Sequence, residues 1–437
     1  MASEWAAVRL SELADINPKR PLRKGENAPF VDMAAISAWT RDVPVESIQT
    51  RLAKGSGSHF KDGDTLLARI TPCLENGKTG QVRSLGVGVV GEGSTEFIVL
   101  SGRDPGDNDY VYYLARSPEF RDHAIARMVG SSGRQRVAWQ AIANFEFRVP
   151  PANERREAAA LLSYIDDRID IFRHTNATLE AIAHALFKSW FVDFDPVRAK
   201  TEGCEPEGMD AATAALFPSE FEESKLGLIP KGWAVDEIGK VAPCVGGATP
   251  STKEPRFWGD PVHHWVTPKD LSGLQSHVLT DTDRKVSQAG LAKISSGLLP
   301  VGTVLLSSRA PIGYLAIAHI PTAINQGFIA MLPGGKLPPS YLLFWTKLSM
   351  DAIKQKANGS TFMEISKSAF RPMELVVAPP QVVSEFDLIG KPLLDRIAEN
   401  EKIRRQLVEI RDTLLPRLIS GKLRLPEAEK MIEESVA

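Results

Sequence analysis

Gly130-Ser131-Ser132-Gly133-Arg134-Gln135-Arg136, followed by Pro150-Pro151 and then by a run to Trp190 without glycine or proline, decides the fold because the chain writes it twice. The second copy is Gly359-Ser360-Thr361-Phe362-Met363-Glu364 with Pro379-Pro380, and in both copies the second proline lies 21 residues after the glycine. Working outward, Leu66-Leu67-Ala68 with Pro72 parallels Leu305-Leu306-Ser307 with Pro311 at equal internal spacing. Beyond each proline pair, Asp167-Arg168-Ile169 is echoed by Asp395-Arg396-Ile397, and Leu179, Ile182 and Leu186 by Leu407, Ile410 and Leu414. A long internal repeat settles architecture before any single residue does. It predicts two similar α+β units, each trailed by a long helix.

Within each unit the pattern is of short strands and turns. In the first, Thr65 to Ala68, Gly86 to Val90 and Phe97 to Leu100 are strand candidates bounded by glycines, and Tyr110 to Met128 reads as helix. In the second, Val301 to Leu306 and Gly327 to Leu332 are strand candidates, with a helix from about Tyr341 to Lys356. The proline pairs read as rigid strand-to-helix hinges, since proline fixes φ and is tolerated at a helix start. The first long helix is expected from Glu154 to about Trp190, with Ile165, Phe172, Leu179 and Leu186 every seven residues; at about 1.5 Å per residue it reaches roughly 55 Å. The second is expected from about Ser384 to Ser420, with Leu393, Leu407 and Leu414 on the same repeat and Ile403 and Ile410 beside it. Antiparallel pairing of the two as an intramolecular coiled coil is the simplest arrangement; separate packing of each on its own domain is the alternative. Asn400 takes the remaining repeat position, where a buried asparagine fixes register and an exposed one does nothing.

Composition is that of an ordinary folded protein, 43% hydrophobic and 24% charged. No apolar run approaches the ~20 residues of a membrane span, and Met1-Ala2-Ser3-Glu4-Trp5 has no signal-peptide character, so a cytoplasmic protein without membrane contact is expected. Cys73, Cys204 and Cys244 lie far apart, which indicates neither disulfides nor a cysteine zinc site. The net charge of −2 is unevenly shared: +1 over residues 1–152, −1 over 153–192, −6 over 193–226, +5 over 227–381, +2 over 382–424 and −3 beyond. The acidity sits in a linker and a tail, and the second unit is basic. That balance permits nucleic-acid binding through local contacts without strong non-specific affinity.

Catalytic patterns do not emerge. Gly77-Lys78-Thr79 resembles the end of a phosphate-binding loop, but that motif's first glycine would fall on Pro72. The proline pairs lack the polar and aromatic neighbours of an amino-methylating motif. His263 and His264 would face opposite sides of a strand, and no HExxH helix is present, so no metal site is expected. What remains is polar loops at matched places. Arg134, Gln135 and Arg136 concentrate donors suited to guanine, adenine or phosphate; Ser360 and Thr361 occupy the matching loop, which lacks the arginines. Arg69 and Lys78 in the first unit, and Ser307 and Arg309 in the second, mark another matched pair of loops; Lys253, Arg256 and Lys269 complete the candidate DNA contacts.

The ensemble resembles the specificity subunit of type I restriction-modification systems. Besides the repeat, the resemblance rests on Phe187-Lys188-Ser189-Trp190-Phe191-Val192-Asp193-Phe194, Pro230-Lys231-Gly232-Trp233, Pro250-Ser251-Thr252 with Phe257-Trp258-Gly259, Trp265-Val266-Thr267-Pro268-Lys269-Asp270-Leu271, and Leu414-Leu415-Pro416-Arg417-Leu418-Ile419-Ser420-Gly421-Lys422-Leu423. It implies target-recognition domains at residues 1–152 and 227–381, spacer helices at 153–192 and 382–424, an acidic linker at 193–226 and an acidic tail at 425–437. It implies a non-catalytic subunit that reads a bipartite target in double-stranded DNA, with the helices as ruler, and docks two methylation subunits, restriction subunits being left open. S-adenosylmethionine, ATP and Mg²⁺ would then reside on those partners. Two other readings are a self-contained DNA-modifying enzyme and a two-lobed protein-interaction scaffold without a DNA role. The arginine-free second loop is a departure that leaves residue-level transfer of contacts there in doubt.

Overall fold

Thr65-Leu66-Leu67-Ala68 is a strand buried along its whole length, and its alternation of faces organises the first unit. Leu66 points with Val99 and Phe97 toward a core shared with Val31, Phe60 and Val82. Leu67 points with Ile98 and Leu100 toward a larger core on the other side, as the two-residue period of a strand requires. Leu305 and Leu306 repeat this in the second unit. Leu305 joins Ala316, Phe328 and Ala330, and Leu306 joins Leu315, Ile317 and Ile329.

The computed structural model describes residues 5–309, 311–359 and 363–436. They fall into two units, residues 1–171 with 404–437, and residues 172–403. The first unit holds two four-stranded sheets. One orders Ala14–Ile16, Phe97–Gly102, Thr65–Ala68 and Thr79–Gln81; the other orders Gln49–Leu52, Asn27–Val31, Val90–Gly93 and Ser58–Lys61. The second unit holds a five-stranded sheet, Cys244–Val245, Phe328–Met331, Val304–Ser307, Leu315–Ala318 and Val278–Leu279, and a three-stranded one, Arg284–Val286, His263–Val266 and Thr322–Ile324. Each unit is closed by the same device. The strand entering it pairs antiparallel with the strand just before the proline pair, Ala6 opposite Val149 in one and Ala234 opposite Val377 in the other.

The helix expected over Tyr110 to Met128 is two helices, Asn108–Arg116 and Pro118–Ala126. Proline disfavours the α conformation in the residue before it, and Ser117 is extended, its hydroxyl accepting from Phe120 N at 3.3 Å to cap the second helix. The expected helix over Tyr341 to Lys356 is likewise divided, into Pro339–Leu348 and Met350–Gln355. Gly86 to Val89 form a turn, and the strand begins at Val90.

The long helices are Ala152–Lys188, 37 residues, and Pro380–Ile419, 40 residues. Both start at the proline pair. In the first unit Leu162, Ile165 and Ile169 share a core with Leu414, Leu415 and Leu418. Arg411 Nη1 donates to Asp166 Oδ1 at 2.7 Å, and Tyr113 Oη donates to Asp166 Oδ2 at 2.8 Å, tying both helices to the domain. The buried Arg41 side chain adds bonds to Ser163 and Asp167. In the second unit Asn400 is buried and donates to Asn176 Oδ1 at 2.8 Å, while Asn176 Nδ2 donates to Glu401 Oε1 at 2.8 Å. The pairings 166 with 411 and 176 with 401 run in opposite senses along the chain, so the helices are antiparallel. Glu180 docks the first helix on the second domain. His277 Nδ1 and Lys347 Nζ both lie 2.6 Å from Glu180 Oε1.

The family-like string Phe187 to Phe194 ends this helix inside an aromatic core. Phe187, Trp190 and Phe191 pack with Phe386, and Phe191 also meets Trp233 and Tyr341. The acidic stretch after it is folded: Asp195–Thr201 and Ala211–Ala215 are helices, and Val197 and Phe217 are buried. Leu425–Val436, in the acidic tail, is also helical. No helix among the described residues is long and apolar enough to cross a membrane.

Candidate nucleic-acid interface

The matched loops meet, and they meet in the same way twice. In the first unit the chain leaving Thr65–Ala68 is held between two neighbours: Arg69 N donates to Glu96 O at 2.9 Å, and Arg69 O accepts from Val137 N at 2.9 Å. In the second, Ser308 N donates to Gly327 O at 2.8 Å, and Ser308 O accepts from Ile365 N at 3.0 Å. Isolated bridges extend each junction, Ile70 with Arg136 and Arg309 with Glu364. The backbone frame is therefore common, and only the side chains on it differ.

In the first unit Arg134 is exposed and its side chain makes no hydrogen bond or ion pair among the described residues. Gln135 is half-buried, its carbonyl accepting from Thr71 N at 3.0 Å. Arg136 is exposed but engaged: Nε lies 2.9 Å and Nη2 2.7 Å from the Glu96 carboxylate. Hydrogen bonding and attraction from Glu96 hold the Arg136 guanidinium above its ordinary pKa. Arg69 is half-buried. Lys78 is half-buried and donates to Met33 O at 2.9 Å, so its charge is directed onto its own domain.

In the second unit Ser307 is a correction. It is completely buried, and its hydroxyl donates to Pro311 O at 2.8 Å while accepting from Tyr314 N at 2.8 Å and Gly313 N at 3.1 Å. It closes the turn and is not available to a ligand. Arg309 lies 3.7 Å from Glu364, the residue that matches Arg136 with inverted charge. Ser360 and Thr361 lie outside the described residues. Lys253, Arg256 and Lys269 are exposed; Arg256 is 3.3 Å from Glu254, and Lys269 is 3.4 Å from Asp283. The short helix Pro268–Ser272 that bears Lys269 reaches the junction where Pro268 lies against Gly327, and the segment leading to Lys253 and Arg256 reaches it through a hydrogen bond from Thr249 to Gln326. Nothing in the sequence marked Glu96, since 40 residues separate it from the arginine it holds.

Among the described residues no group of three or more histidine, cysteine, aspartate or glutamate side chains is placed to hold a metal ion. The arrangement presents hydrogen-bond donors and acceptors beside junctions held by backbone hydrogen bonds, which suits recognition.

The family model described as the type I restriction modification DNA specificity domain matches residues 2–181 and 230–382, one segment in each copy of the repeat. The chain is similar to the type I restriction enzyme MjaIX specificity subunit of Methanocaldococcus jannaschii, 35% identical over 44% of this chain and 45% of that protein. It is also similar to the HindI specificity subunit of Haemophilus influenzae, 27% identical over 76% of this chain and 81% of that one. The crystal structure of a type I restriction-modification S subunit from M. genitalium shares the fold, with a TM-score of 0.56 over 95% of this chain and 96% of that one at 15% identity.

Proposed function

The chain belongs to the family of type I restriction-modification DNA specificity subunits, and from that membership we propose that each unit reads one half of a bipartite double-stranded DNA target through the loop junction built around Arg69 or Ser308. The observation that carries this reading is the repeated junction with unequal side chains. Arg136, bridged to Ile70, is replaced by Glu364, bridged to Arg309, on an equivalent backbone. An arginine fork suits guanine or phosphate, whereas a carboxylate suits the amino group of cytosine. Two such units read two different half-sites.

The subunit itself is non-catalytic in this reading. The two long helices are the elements we assign to spacing the half-sites and to docking the methylation subunits, with S-adenosylmethionine, ATP and Mg²⁺ held by partners. DNA contacts are assigned to Arg134 and Arg136 in the first unit and to Lys253, Arg256, Lys269 and Arg309 in the second. Arg69 and Lys78 have supporting roles. Reconstitution with methylation subunits tests this: methyl transfer to a two-part sequence is expected only when both components are present. Methyl transfer by the purified chain alone would contradict it.

A further inference from the structure

The three-stranded sheet of the second unit carries a cation that the loop repeat does not mark. Arg284 begins the strand Arg284–Val286 and sits opposite Trp265 in the neighbouring strand. Its guanidinium carbon lies 3.8 Å from the ring centre of Trp258 and 5.2 Å from that of Trp265, and the two indoles meet edge to face at 5.1 Å. Trp265 is buried and Trp258 is half-buried, with Trp258 Nε1 donating to Ser251 O at 3.1 Å. The platform under the arginine is therefore fixed. Arg284 itself is exposed, and its guanidinium makes no hydrogen bond or ion pair among the described residues.

The position relates it to the candidate contacts. Ser251 belongs to the segment that leads to Lys253 and Arg256, and Asp283 N donates to Asp270 Oδ1 at 2.7 Å, joining the Arg284 strand to the short helix of Lys269. The first unit supplies an internal comparison. Its corresponding edge strand, Gln49–Leu52, also lays an arginine on an aromatic ring, Arg51 at 3.1 Å from the Phe30 centre. There the buried Glu92 carboxylate pairs with Arg51 at 3.1 Å. The same device is neutralised in one unit and left with its donors open in the other.

Stacking on an aromatic face orients a guanidinium without using its N–H groups. We propose that Arg284 is a DNA contact of the second unit, a pre-oriented fork that meets a paired acceptor of the duplex, either a phosphate or the O6/N7 edge of guanine. The inference rests on the DNA-reading function proposed above.

The test uses the full-length chain to select duplexes from a library of randomised sequence, then measures Kd on the recovered duplex across a salt series for wild type, Arg284→Ala and Arg284→Lys. Arg284→Ala is expected to weaken binding about tenfold. For a phosphate contact the loss is uniform across sequences, the salt slope falls by about one in Arg284→Ala, and Arg284→Lys keeps the slope while recovering only part of the affinity, since lysine lacks the stacked fork. For a guanine contact, both variants lose preference at one base pair. Near-ultraviolet circular dichroism of the tryptophans establishes that the variants are folded. Wild-type Kd, salt slope and selected sequence in folded Arg284→Ala would overturn the assignment. A wild-type chain that selects no sequence would instead overturn the DNA-reading function on which it rests.

Discussion

Arg134 and Arg136 stand two residues apart and behave differently. Arg136 is clamped by Glu96 and braces the junction as it faces outward; Arg134 has no such tie. Arg134→Ala is expected to cost about 1–3 kcal/mol of DNA binding whether or not Glu96 is present. Arg136→Ala and Glu96→Gln remove one shared interaction, so a double-mutant cycle on stability should show the two substitutions to be less than additive, with the small coupling of a solvent-exposed pair. Coupling between Arg134 and Glu96, or none between Arg136 and Glu96, would contradict the division of roles. Glu180 carries a second prediction. Burial alone would raise its pKa, but hydrogen bonds and attraction from His277, with Lys347, bring it down to about 2 from the ordinary 4.5. A depressed carboxylate stabilises fully above its unfolded value and loses that contribution as pH falls toward its folded value. Glu180→Gln should therefore lower stability at neutral pH by about 1–3 kcal/mol and flatten the decline between pH 4.5 and 2. Denaturant midpoints followed by tryptophan fluorescence at stepped pH check this; superimposable curves would refute it.

At the scale of elements, the sequence disclosed what local chemistry determines. The proline pairs mark the helix starts because proline's fixed φ suits a first turn, where its missing N–H costs nothing; Pro392 and Pro416, inside the second helix, mark no boundary. The four-residue strands around Leu66 and Leu305 stand out because both faces are buried. The break at Ser117-Pro118 was legible too, had the proline been weighed above the apolar spacing. Other elements left no trace. The two-residue strands Cys244–Val245 and Val278–Leu279 exist only through partners far along the chain, and the ties between Lys78 and Met33 or Ser307 and Pro311 depend on the finished fold. Asn400, open to two readings in the sequence, is buried against Asn176. Asn400→Leu strands the Asn176 side-chain carbonyl and should cost about 1–3 kcal/mol, read as a lowered denaturant midpoint. Adding Asn176→Leu also takes the donor from the buried Glu401 carboxylate and should give no recovery; wild-type stability in Asn400→Leu would show that the buried pair contributes nothing.

For the whole molecule, the repeated junction with unequal side chains is the feature from which function follows. If each unit reads its own half-site, the halves are separable by exchange. The decisive measurement is to replace residues 1–150 with the equivalent domain of a relative, reconstitute the methylating complex, and map methylated bases across a genome. One half of the recognised sequence should change and the other should persist. A change in both halves, or in neither, would contradict independent reading by the two units.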